Sequence, residues 1–175
     1  ECEAHMVVGI NLMLLQASNV TTAIAGMTSP TGRSHTFDRR ADGFARGEGA
    51  STFGMMRRSV ELGLRGSAVR QDGRSASLTA PNGQAQQGLL RAALADGATA
   101  SSDLTQNEAH GTGTSLGDPI EAGSLVAAVL SARGSGDVLG LGGVKANIGH
   151  AEPASGMTGL IKLALGLHCP RISPN

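Results

Sequence analysis

The apolar positions of this chain fall into short runs separated by long polar stretches rich in glycine. The first run, EAHMVVGINLMLL (Glu3–Leu15), is rich in Val, Ile and Leu. Its length and composition predict a buried strand, with Gly9 marking a close backbone contact. Residues 26–50, GMTSPTGRSHTFDRRADGFARGEGA, keep no sustained period. They predict a long irregular loop, and loops of that length inside a domain are usually functional. Residues 51–69 predict one or two strands, with room for a short helical piece.

The second half has clearer punctuation. PNGQAQQGLLRAALADG (81–97) predicts a helix with Asn82 as N-cap and Gly97 as its stop. SDLTQNEAHG (102–111) should end in a short strand. GDPIEAGSLVAAVLSARG (117–134) predicts a second helix. Asp118 would cap it, Pro119 would take the first helical position, and Glu121 lies three after the cap. Ala122, Leu125, Val126, Val129 and Leu130 would form its apolar stripe. Residues 138–147 predict a strand, and 153–168 a third helix with a stripe of Met157, Leu160, Ile161, Ala164 and Leu165. Leu163 and Leu167 make that helix apolar on its other side too, and Lys162 is its only charge, so it should lie inside a large fold. Alternating strands and helices predict an α/β sheet fold.

Composition narrows the function. The chain has 175 residues, 40% of them apolar, with 14 basic and 14 acidic side chains. That suits one globular domain and shows no basic stripe for nucleic acid. Phe37, Phe44 and Phe53 are the only aromatic residues besides histidine, too few for a base-stacking surface. No apolar run reaches membrane-spanning length, and the first residues lack the basic region of a signal peptide. Cys2 and Cys169 lie at opposite ends. A reduced, cytoplasmic protein is the expectation, with one terminal disulfide as the alternative. The chain opens almost in the middle of its first strand, so a truncated N-terminus is expected.

Two histidine motifs carry the candidate chemistry. In EAHGTGTSLGDPIEAG (108–123), His110 should sit where a strand ends. Gly111 and Gly113 permit positive φ or close approach of a ligand, and Thr112 and Thr114 offer hydroxyls. In GGVKANIGHAEPASG (142–156), Lys145 should end a strand and His150 precede the third helix. If both junctions open onto the same edge of one parallel sheet, the two imidazoles converge. Together they would make a donor pair for an enolate or oxyanion. A histidine at a strand end is ordinarily just a satisfied polar group, so neither motif decides alone. No G-x-x-x-x-G-K-[ST] supports a phosphate cradle, and His110, Asp118 and His150 lack the spacing of a zinc site; no metal is expected.

EAHGTGTSLGDPIEA and VKANIGHAEPASGMTGLIKLAL resemble the β-ketoacyl synthase domain of modular polyketide synthases and, more distantly, of fatty-acid synthases. GINLML, the loop at 26–50 and GSAVRQDGRSASLTAPNGQAQ agree in order, so the resemblance covers nearly the whole chain. It implies the thiolase-like fold, a layered αβαβα sandwich, here partial. Residues 1–64 would be the end of the first half with its long loop, and 65–175 most of the second half. It implies decarboxylative condensation of an acyl thioester with a malonyl-type extender on acyl carrier protein. His110 and His150 would support decarboxylation and hold the enolate, with Lys145 ordering the site. Thr112 and Thr114, with Gly111 and Gly113, would contact the phosphopantetheine arm, which serves as substrate carrier; no cofactor binds directly. Asp118 and Glu121 would be structural caps. A homodimer is implied.

The family's nucleophilic cysteine lies upstream of the segment matching MVVGINLML and is absent. Cys2 sits between Glu1 and Glu3, and Cys169 follows the C-terminal end of a helix; both settings disfavour a thiolate. Arg70 stands where the family commonly has asparagine, residues 54–66 are short, and LTQN before Glu108 is unusually polar. The chain also stops early, at PRISPN. The expectation is a ketosynthase piece that cannot condense alone. The rival readings are a non-catalytic thiolase-fold scaffold or chain-length partner and an acyl- or carrier-protein-binding module.

Overall fold

The computed structural model of the chain describes residues 3–57, 62–77 and 79–169. They form two compact units of mixed strand and helix. The first comprises Glu1–Gly63, Glu108–Ser115 and Gly142–Asn175, and the second Leu64–Asn107 and Leu116–Leu141.

In the first unit, β1 (Ala4–Asn11) pairs antiparallel with β2 (Gly49–Met56), Gly9 opposite Ser51. Side chains alternate across a strand. Gly9 lies against Pro153 and Met157, where an added Cβ would stand 2.6 Å from Pro153 O. Asn11 donates from Nδ2 to Gly47 O at 2.7 Å. The other face carries Met6, Val8 and Ile10, and is open, with Met6 75% exposed. The expected buried strand is therefore buried at Gly9 and Asn11 only, because a two-stranded sheet leaves its second face uncovered among the described residues.

A helix that the apolar pattern does not reveal follows, α1 (Gln16–Ile24). Thr21 and Thr22 turn their hydroxyls back onto the carbonyls of Ala17 and Ser18, which accommodates β-branched residues in a helix. Residues 26–48 are irregular, as expected. Only one strand of the 51–69 segment occurs among the described residues; 62–69 have no regular structure, and 58–61 lie outside the description.

In the second unit, α2 (Gly83–Asp96) starts as the sequence predicts, with Asn82 Oδ1 accepting the N–H groups of Gln84 and Ala85. It packs on α3 (Gly117–Ala128) around Leu125, Ala128 and Val129, with Leu90, Leu94, Leu104, Leu139 and Leu141 alongside. Two expectations about α3 need correction. The backbone is already helical at Leu116, which is the N-cap and makes no side-chain cap bond. Asp118 and Glu121 thus lie inside the helix instead of at the cap and third positions; Asp118 is a first-turn residue, 3% exposed. The stripe also rotates, with Ala128 buried and Val126 exposed.

Two three-residue strands, β3 (Gln106–Glu108) and β4 (Gly140–Gly142), form the second sheet. Gly140 N–H bonds Thr105 O and Ala109 N–H bonds Gly142 O, both at 2.9 Å. Both strands advance together between these bonds, so the pair is parallel. The strand expected over 138–147 stops at Gly142. Residues 143–149 wind into the short helix α4 (Lys145–Ile148), closed by Gly149 N–H onto Lys145 O. Lys145 therefore opens a helix instead of ending a strand. Helix α5 (Ser155–His168) forms as expected but buries only Ser155 and Gly159; Leu165 and Leu167 are exposed. No helix among the described residues is long and apolar enough to cross a membrane.

Candidate active site

The loop after β3 is fixed by the long segment 26–50. Thr36 Oγ1 donates to Gly111 O at 2.7 Å, and Gly43 N–H donates to Gly113 O at 3.0 Å. Gly113 has φ of +79°, and a Cβ there would stand 2.6 Å from His35 N. Only glycine fits both demands. Thr112 is buried, and its hydroxyl lies 3.3 Å from that of Thr114, either oxygen being able to donate. His110, at the head of this loop, is exposed.

His150 is held by its own backbone between residues 45 and 47. Its N–H donates to Ala45 O at 2.7 Å and its carbonyl accepts Gly47 N–H at 3.0 Å. Its Nδ1 accepts the Glu152 N–H at 3.0 Å. A neutral ring bonded this way carries its proton on Nε2. The ring sits edge-on between Phe44, at 5.1 Å between centroids, and His110, at 5.4 Å and 87°. Lys145, 3% exposed, opens α4 five residues earlier. Burial, then the charge of Lys145 and the His110 ring, outweigh the Glu152 carboxylate and lower His150 from 6.5 to about 4. His150 is thus a neutral N–H donor at pH 7.

The fold brings His110, Gly111, Thr112, Gly113, Thr114, Lys145 and His150 together in the first unit; Asp118 and Glu121 belong to the second. No cluster of three or more His, Cys, Asp or Glu side chains suited to a metal ion occurs among the described residues. Cys169 is an exposed free thiol, and Cys2 lies outside the described residues.

Several supporting residues escape a motif reading. Glu108 pairs with Lys162 at 2.8 Å and also accepts the Val144 N–H, joining β3, α4 and α5. Lys162 as the lone charge of an apolar helix was the signal for it. Thr36, Phe44 and Arg46 sit in a stretch with no period, where nothing in the sequence shows which residues face the histidines.

Comparison with known proteins bears on the family and the fold. The model of the β-ketoacyl synthase N-terminal domain matches residues 1–61, and that of the β-ketoacyl synthase C-terminal domain matches residues 63–175. One component of the phenolphthiocerol/phthiocerol polyketide synthase of Mycobacterium tuberculosis is 45% identical over 176 residues, covering 96% of this chain and 8% of that protein. Another component of the same synthase is 42% identical over 183 residues, covering 100% of this chain and 10% of that protein. An oxazolomycin ketosynthase domain of Streptomyces albus superposes with a TM-score of 0.95 at 35% identity, covering 99% of this chain and 31% of that one. The ketosynthase from module 6 of the Bacillus subtilis bacillaene synthase gives 0.94 at 31% identity, covering 99% and 32%. The chain thus spans about a tenth of each of these polyketide synthase proteins and about a third of the solved ketosynthases. Its fold is the thiolase-like α/β fold of these ketosynthases, and the chain belongs to the β-ketoacyl synthase family as part of a polyketide synthase ketosynthase domain.

Proposed function

We propose that this chain supplies the decarboxylating half of a ketosynthase active site, which extends an acyl chain by decarboxylative Claisen condensation. The extender is a malonyl-type thioester on the phosphopantetheine arm of acyl carrier protein. Its carboxylate leaves as CO2, and the electron pair of the broken carbon–carbon bond moves into an enolate whose oxygen bears the charge. His110 and His150 direct N–H groups at that oxygen. Placed donors of this kind lower such barriers by about 3–4 kcal/mol each. The enolate carbon then attacks an acyl thioester carried on a cysteine outside this chain, forming the new carbon–carbon bond and releasing the thiolate.

Burial first and then the nearby charge of Lys145 keep His150 neutral. Thr112 and Thr114 hydrogen-bond the pantetheine arm, and Gly111 and Gly113 let it approach. Residues 1–64 close the first half of the domain and 65–175 open the second. The complete domain is a homodimer, as the resemblance implies.

The observation that carries this reading is the edge-to-face pair of imidazoles at 5.4 Å, with His150 Nδ1 already occupied. The test follows CO2 release from malonyl-carrier protein, with the chain alone and with the chain transplanted into the matching segment of the Streptomyces ketosynthase. In the transplant, His110→Ala and His150→Ala should each lower decarboxylation on the order of a hundredfold or more. Decarboxylation insensitive to both substitutions overturns the donor-pair reading. A condensation product from the chain alone overturns the external nucleophile.

A further inference from the structure

Arg46 and Glu152 form an ion pair at 2.8 Å between Nε and Oε1, with the guanidinium side chain 11% exposed. The same guanidinium donates through Nη1 to Asn19 Oδ1 and, at 3.2 Å, to Ser18 Oγ in the first turn of α1. It is therefore anchored at both ends. Glu152 has φ of +43°, a left-handed conformation unfavourable for a residue with a side chain. It also precedes Pro153, which disfavours the ordinary helical alternative. Such a conformation is strained and persists only when its surroundings impose it. From it, Glu152 delivers its N–H to His150 Nδ1.

We propose that Arg46 is a positioning residue for His150: by clamping Glu152 in its left-handed turn, it fixes the peptide N–H that selects the Nε2–H tautomer of the ring. The backbone reinforces this role, since Arg46 is bridged to His150 in a parallel pairing. The clamp also sets charge. His150 faces Lys145 of α4, His110 of the loop after β3, Glu152 of the following turn, and the Arg46 segment. Among these, Glu152 is the group that favours protonation of the ring. A guanidinium on that carboxylate offsets its field. Removing Arg46 both loosens the turn and exposes the ring to an uncompensated anion.

The inference rests on reading His150 as a donor, but its test needs no turnover. Imidazole 15N spectra of the 175-residue chain report tautomer and titration directly. The unsubstituted chain should show a single Nε2–H tautomer at pH 7. Arg46→Met should mix the tautomers and raise the titration midpoint by about one unit, the ordinary effect of one neighbouring uncompensated charge. That is about a tenfold rise in the protonated fraction at a given pH above the midpoint. Glu152→Gln should mix the tautomers without raising the midpoint, because the anion is gone; this second variant carries the test if Arg46→Met does not fold. Arg46→Lys should restore the midpoint. A role confined to packing would expose the ring and raise the midpoint in Arg46→Met and Glu152→Gln alike, since burial is the largest cause of its depression. An unchanged tautomer in either foldable variant overturns the proposal, and leaves the condensation reading to stand or fall by CO2 release.

Discussion

His150 shows how one residue ties the fold to pH. Its pKa falls to about 4 in the native state from an ordinary 6.5. Between these values the unfolded chain binds the extra proton and the native ring does not, so native stability rises with pH. The stabilising preference for the neutral ring is full above about pH 6.5 and is lost as pH falls towards 4. Urea unfolding should therefore show a midpoint that drops between pH 6.5 and about 4, and His150→Gln should remove that part of the drop. A glycine nearby makes a second prediction. Gly113→Ala places a Cβ 2.6 Å from a backbone nitrogen at a φ of +79°. The strain alone should lower stability by about 1–3 kcal/mol in urea unfolding.

Among the elements, the Glu108–Lys162 pair joins the strand before His110 to the helix after His150. The Glu108 side chain is 4% exposed. Gly142 and Gly159 leave space for it, since a Cβ on either would approach its atoms at 2.6 and 3.1 Å. Lys162→Met strands a buried carboxylate and should destabilise by about 3 kcal/mol or more, whereas Glu108→Gln with Lys162→Met should recover much of the loss. Thermal unfolding of the two singles and the double measures this. Asn82→Ala removes a two-bond helix cap in the second unit and should lower stability by about 1 kcal/mol, read the same way. This cap was legible in the sequence because it depends on residues adjacent in the chain. The expected cap at Asp118 was not, because the backbone turns helical at Leu116 before the sequence signal begins.

Over the whole molecule, large apolar side chains lie open along β1, α1 and α5, among them Met6, Val20, Ile24 and Leu167. Each of these elements exposes two or more large apolar side chains, more than the singly scattered ones ordinary on a globular surface. The chain should bind an apolar fluorescent dye at neutral pH while keeping its folded far-ultraviolet spectrum, and Val8→Thr with Ile10→Thr should lower the dye signal.

What the sequence determined by itself is local. The short strand before His110, the Asn82 cap, helix α5, the irregular 26–50 segment and the two histidine motifs all follow from residues close together in the chain. The tertiary structure decided the rest. Helix α1 forms where no apolar period reveals it, and burial of β1 depends on which layers cover it. The meeting of His110 with His150, and the hold of residues 45–47 on the second ring, join segments far apart in sequence. Periodicity reports which face of an element is apolar, but only long-range packing decides what meets that face.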